Sequence, residues 1–89
     1  MTRAEEITLD VMDLEPPEPF ERVTEALGKL EPGQYIRIDL RRRPMLLYPW
    51  LAEHNFSEQT QQIDADIYRV LIWSASDPET EKAIDQLSG

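Results

Sequence analysis

The hydrophobic pattern of the chain switches between two periods, and the switches outline its elements. In "ITLDVM", Ile7, Leu9 and Val11 fall on one face and Thr8, Asp10 and Met12 on the other, which predicts a half-buried strand over 7–12. From Pro17 the period lengthens. Phe20, Val23, Ala26, Leu27 and Leu30 recur three or four apart, with Glu18, Glu21, Glu25 and Lys29 between them, so the spacing predicts an amphipathic helix. Pro17 and Pro19 suit its first turn, where backbone N–H groups have no intrahelical partner. After the turn signal "EPG", "QYIRIDL" alternates again and predicts a strand over 34–40, with Ile36, Ile38 and Leu40 inward and Tyr35, Arg37 and Asp39 outward. Leu47, Trp50, Leu51 and His54 then share a helical spacing, and Pro44 and Pro49 confine that helix's start to within a turn of Met45.

The polar, glutamine-rich "NFSEQTQQID" suits an edge strand. "ADIYRVLIWS" is the most strongly β-forming stretch, with Tyr68, Val70 and Ile72 on one face and Arg69, Leu71 and Trp73 on the other, and a hairpin through 63–66 joins the two. The last residues begin with an N-cap at Ser76 or Asp77 and carry Ala83, Ile84 and Leu87 at helical spacing; they form a short helix or a frayed tail. The order β-α-β-α-β-β predicts an α/β (α+β) two-layer sandwich with a mixed four-stranded sheet and both helices on one face. The first strand, helix and second strand make a right-handed βαβ unit with parallel strands. One domain spans 1–76, and 77–89 is its C-terminal tail or short helix.

A chain of 89 residues, 40% hydrophobic and 30% charged, folds as a single domain around one thin core. It has no cysteine, hence no disulfide, thiolate metal site or thiol nucleophile, and an intracellular setting is expected. The N-terminus is acidic without an apolar signal region, and no run approaches the roughly 18 apolar residues of a membrane span, so a cytoplasmic protein with no membrane partner is expected. The net charge is −9, and nine acidic residues before Gln34 face only Arg3, Arg22 and Lys29, which disfavours nucleic acid. "RIDLRRR" is the exception.

Parallel strands deliver the starts of both helices to one sheet edge. Asp13, Glu15, Pro16, Pro17 and Glu18 therefore lie near Arg41, Arg42 and Arg43, where two helix N-termini and full positive charges favour a small anion or an acidic partner segment. Pro17 and Pro19 remove two donors, and the alternative is that the acidic residues pair with the arginines, giving an internally satisfied ion-pair cluster worth about 0–1 kcal/mol per exposed pair. His54, the lone histidine, excludes multi-histidine metal sites and suits the end of the second helix. Glycines at 28, 33 and 89 form no phosphate loop, and the spacing of Asp10, Asp13, Glu15 and Glu18 sets no acid/base pair across a substrate. No cofactor and no metal are expected. Met12, Tyr35, Leu71 and Trp73 make the outer sheet face apolar. Tyr35, Leu71 and Trp73 are thus a candidate interface, covered either by the C-terminal helix through Ile84 and Leu87 or by another chain, as in a homodimer. Of Tyr48 and Trp50, at least one belongs to the core.

"LDVMDLEPPEP" leading into "FERVTEALGKLEPGQYIRI" resembles the TusA/SirA-like family of small sulfur-carrier proteins, over nearly the whole chain to about Ser74. There a Cys-Pro-X-Pro motif opens the first helix and its cysteine carries a persulfide. Here Pro16 stands at the cysteine position, so the resemblance does not extend to carrier activity, while Pro17 and Pro19 keep the helix-start role. "RRRPMLLYPWLAEHNF" is similar to a cysteine-less branch classed as a domain of unknown function, some of whose members are similar to segments found beside haemerythrin-like or nitrogen-oxide-related domains. The expected function is a non-catalytic interaction or regulatory module that binds a protein partner through the helix-start edge or the open sheet face. The alternative is a small-anion-binding or sulfur-relay accessory protein.

Overall fold

The computed structural model describes residues 4–88, with Arg3 and Gly89 outside them. The elements are β1 (Glu5–Leu9), α1 (Glu18–Leu27), β2 (Gln34–Leu40), α2 (Leu47–Glu53), β3 (Phe56–Asp64), β4 (Ile67–Ser74) and α3 (Pro78–Ser88). The strands form one mixed sheet in the order β1-β2-β4-β3, with β1 parallel to β2 and the other two pairings antiparallel.

β1 differs from the expected 7–12 at both ends: its partner sets its start, and a turn in its own chain sets its end. The register places Glu5 opposite Gln34 and Leu9 opposite Ile38, so the ladder begins where β2 begins. Past Leu9 the chain turns, with the Leu14 N–H donating to the Val11 carbonyl at 3.2 Å. Val11 nevertheless keeps its inward position and is buried.

Pro17 takes the N-cap position of α1 and Pro19 lies in its first turn. The Pro17 carbonyl accepts the Glu21 N–H at 3.1 Å. Leu30 falls beyond the end of α1, yet still packs against the core from the turn that follows. β2 occupies the expected 34–40. Ile36 and Ile38 meet Ile72 and Val70 of β4 on one face, and Val23 and Leu27 of α1 with Leu47 and Leu51 of α2 close over them. This is the main core, with both helices on the expected side. Tyr48 and Trp50 are both half-buried against it.

The opposite face is closed by α3. Tyr35, Leu71 and Trp73 alternate with the core residues and form a second cluster with Ile84. The C-terminal stretch is therefore a helix, and the reading of Tyr35, Leu71 and Trp73 as an interface is corrected: they are 5%, 7% and 5% exposed. Leu87, expected under the same cover, is 65% exposed, because Thr80, Ala83 and Ile84 fill the contact and Leu87 lies a turn beyond.

One carboxylate fastens the start of α3. Asp77 Oδ1 accepts the Thr80 N–H at 3.2 Å, and Oδ2 accepts the Thr80 hydroxyl at 2.6 Å and the Gly33 N–H at 2.9 Å. Gly33, at φ +86°, adopts a backbone conformation that side-chain-bearing residues rarely take, and its N–H reaches across to the cap. The Gly33 N–H foremost, and the Thr80 hydroxyl next, hold the Asp77 carboxyl below its ordinary value of 3.8 against a smaller opposing effect of burial. A carboxylate whose folded-state pKa is depressed contributes stability that is present above the unfolded value and lost as pH falls through the folded value. Asp77→Ala should therefore destabilise the protein by about 0.5–2 kcal/mol at neutral pH. Urea unfolding across a pH series should show that difference shrinking below about pH 3.8; a cost that stays constant into acid would contradict the role of the charged cap.

Candidate functional site: the helix-start border

β1 ends at Leu9 and β2 at Leu40, and because they run parallel the segments leading to α1 and α2 leave from the same border of the sheet. β4 begins at that border, since Tyr68 pairs with Leu40, and the β3–β4 turn at Ala65 and Asp66 lies there too. The neighbourhoods of residues 13 and 41 meet directly: Arg41 Nη2 is 4.0 Å from Asp13 Oδ1, with both side chains largely in solvent. A pair this long and this exposed contributes about 0–1 kcal/mol.

The other members divide into paired and unpaired groups. The Arg43 guanidinium lies over the Tyr68 ring at 5.3 Å from its centroid, within reach of a cation–π attraction. Arg42 is exposed and makes no ion pair among the described residues. Glu15, Pro16, Pro17 and Glu18 are exposed, the Pro16–Pro17 peptide is cis, and neither carboxylate pairs with an arginine among the described residues. The internally satisfied ion-pair cluster thus reduces to one long contact.

Several backbone donors at this border are committed or missing. Pro17 and Pro19 have none, and the Glu18 N–H donates to the Glu15 carbonyl at 2.9 Å. The Met45 and Leu47 N–H groups donate to the Arg43 and Pro44 carbonyls at 2.9 Å each, a turn that delays α2 until Leu47. The three arginine side chains are exposed and consecutive, which suits a contact made to several of them better than a small enclosed anion.

The delayed start of α2 exposes two apolar residues that the sequence reading did not single out. Met45 is 66% and Leu46 84% exposed, while the next residue, Leu47, is buried. Ile63, also exposed, lies beside the β3–β4 turn at the same border. A signal existed for Met45, which lies off the stripe of Leu47, Trp50, Leu51 and His54; Leu46, four residues before Trp50, carried none.

Other chemistry-bearing groups are internally engaged. His54 Nδ1 lies 2.9 Å from the Trp50 carbonyl, which only accepts, so Nδ1 carries the proton and donates. Its ring stacks on Trp50 at 4.0 Å, and Trp50 also contacts Phe20 and Phe56. His54 therefore ends α2 as expected. On the outer sheet face, Arg37 bonds Asp39 at 3.2 Å and approaches Glu6, while Arg69 Nε donates to Asp39 at 3.0 Å. Burial would raise the Asp39 carboxyl, but hydrogen bonds from Arg69 and Arg37 outweigh it and hold the group below its ordinary value. Burial first, and then the bond to Glu6, push the Tyr35 phenol up to about 12. Two arginines and two carboxylates balance here, leaving a structural network without a poised acid or base. Among the described residues, no group of three or more His, Cys, Asp or Glu could hold a metal ion, and no helix is long and apolar enough to cross a membrane.

These features define an α+β domain whose unpaired positive charge and exposed apolar residues coincide at one sheet border. Residues 8–74 match the family model described as "Uncharacterized conserved protein (DUF2249)", and the chain belongs to that family. The matched stretch holds the whole helix-start border, while α3 lies outside it. Neither curated proteins nor solved structures give a match.

If Met45 and Leu46 serve contacts outside the chain, the fold should not depend on them. Met45→Ser and Leu46→Ser should each change the unfolding free energy by no more than about 0.5 kcal/mol, whereas Leu47→Ala should cost about 2–5 kcal/mol. Chemical denaturation of the three variants checks this, and a large loss at position 46 would assign that side chain to the core.

Proposed function

We propose that the protein is a non-catalytic interaction module that binds a protein partner through the border formed by Arg41, Arg42, Arg43, Met45 and Leu46. The observation that carries this reading is the exposure of Met45 and Leu46 directly after three exposed arginines. Methionine and arginine are enriched where proteins meet, and a solvated apolar pair gains free energy when covered. The second route considered from sequence, an open sheet face, drops out because α3 occupies it. The absence of cysteine, the engagement of His54 and the balanced Arg37–Asp39–Arg69 network support a role without covalent or acid/base chemistry.

We also propose kinship with the TusA/SirA-like sulfur carriers. The element order and the proline-rich opening of α1, with Pro16 at the position of the persulfide cysteine, support it. That kinship motivates a second reading, a small-anion-binding or sulfur-relay accessory protein, which the unpaired Arg42 favours and the committed backbone donors oppose.

Site-specific photo-crosslinking in living cells tests the first reading. With p-benzoylphenylalanine in place of Leu46, discrete protein adducts are expected, and none with the same group in place of Glu79 on α3. Equal labelling at both positions, or none at 46, would overturn it. In parallel, titrating the labelled protein with sulfate, phosphate, thiosulfate and nitrite should leave the amides of residues 13–20 and 41–47 unshifted; saturable shifts there would favour the second reading.

A further inference from the structure

We propose that the occupant of this border is a short acidic segment of another protein that carries bulky apolar side chains among its carboxylates; this rests on the interaction reading and specifies its partner. Charge complementarity supplies the first argument. In a chain of net charge −9, Arg41, Arg42 and Arg43 are consecutive and exposed, and their local partners are one solvated carboxylate 4.0 Å away and one aromatic ring. A partner carboxylate can engage Arg42 without displacing any contact, and can replace the long Asp13 contact on Arg41 by a closer, bidentate one.

The apolar pair supplies the second argument. Met45 and Leu46 sit in the turn that follows the arginines, fixed by hydrogen bonds from the Met45 and Leu47 N–H groups to the Arg43 and Pro44 carbonyls. Leu47 anchors the same turn in the core, so the two exposed side chains are presented from a rigid base. A flexible methionine beside a leucine accepts apolar side chains of varied shape. A carboxylate-only ligand would leave this pair wet, and a purely apolar one would desolvate Arg42 unpaired, which is costly. A segment that alternates the two chemistries satisfies both.

The acidic groups nearby limit the partner's length. Glu15 and Glu18 lie on the α1 side, and Asp64 and Asp66 flank the β3–β4 turn. A long polyanion would meet these carboxylates, whereas a segment spanning a few residues can cover the arginines and the adjoining apolar pair without reaching them.

The experiment is a chemical-shift titration of the full-length, isotopically labelled chain with three synthetic peptides of about seven residues each. The first contains glutamate and aspartate with two leucines and a phenylalanine. The second replaces the apolar residues by serine, and the third replaces the acids by glutamine and asparagine. The first should shift the amides of residues 41–47 saturably, and each control should bind about tenfold more weakly or worse. Arg42→Glu and the double variant Met45→Ser/Leu46→Ser should each weaken the first peptide by about tenfold, and raised salt should affect it more than the glutamine control.

Equal binding of the three peptides would overturn the proposal, as would shifts located elsewhere or no shift up to about 1 mM. Sedimentation showing self-association that is lost in Arg42→Glu would replace the acidic segment by a second copy of this chain. Adducts at position 46 to a partner without an acidic, apolar segment would overturn this inference and leave the interaction reading standing, while absence of adducts would remove both.

Discussion

The parallel pairing of β1 with β2 is the constraint on which the rest depends. Two antiparallel strands can be joined by a tight turn, but parallel neighbours need a crossover, and α1 is that crossover. The pairing of Glu5 with Gln34 and of Leu9 with Ile38 also ends both strands at the same border. Every segment leaving those strands therefore begins there, which is why the proline-rich opening of α1 and the three arginines before α2 are neighbours although some twenty-five residues separate them. β4, running antiparallel to β2, brings Tyr68 to the same place, where Arg43 covers its ring.

The opposite border serves stability. There the Gly33 turn enters β2, and Asp77 binds the Gly33 N–H while capping α3 through Thr80. Asp77 thus couples the closing helix to the turn that starts β2, and α3 in turn keeps Trp73 and Leu71 out of water. A shallow groove of about 330 Å³ lies beside this cap, between Leu27, Leu30, Pro32, Phe56 and Ser74. Of the two carboxylates in its lining, Asp77 is already committed to the cap, and Glu31 is the other. The two borders differ along the strand direction: the one that holds α3 presents a satisfied carboxylate, and the other presents three exposed arginines, of which Arg42 has no ion pair among the described residues.

Much of this was legible in the sequence because alternation and helical spacing report burial directly. Ile36, Ile38, Val70 and Ile72 could be assigned to one face and Tyr35, Leu71 and Trp73 to the other from period alone, and β2 falls on the expected residues. The ends of β1 were not legible: its start follows that of β2, and it stops opposite Ile38, before β2 itself ends at Leu40, where its own chain turns away. The fate of the outer face was also undecided, because Ala83, Ile84 and Leu87 at helical spacing do not say against which surface they pack. The expectation that Leu87 would be buried failed because a helix end can extend past the cluster it covers. At the candidate site, the arginines were visible as a run, but the exposure of Met45 and Leu46 depended on where α2 begins. That start is fixed by two local hydrogen bonds to the Arg43 and Pro44 carbonyls, a detail that proline positions bracketed without locating.

The charge distribution decides what kind of recognition the border can perform. At physiological ionic strength exposed charges are screened beyond about 8 Å, so a distant acidic partner is repelled only weakly by the net −9 and is not steered in from afar. Selection must then occur at contact, where Arg41, Arg42 and Arg43 outnumber the one carboxylate that touches them. Contact selection by charge alone would admit many anions. The adjoining Met45 and Leu46 narrow the choice, because apolar burial adds free energy only for partners that bring apolar surface with them. The proposed recognition at this border would therefore require both chemistries in one short segment.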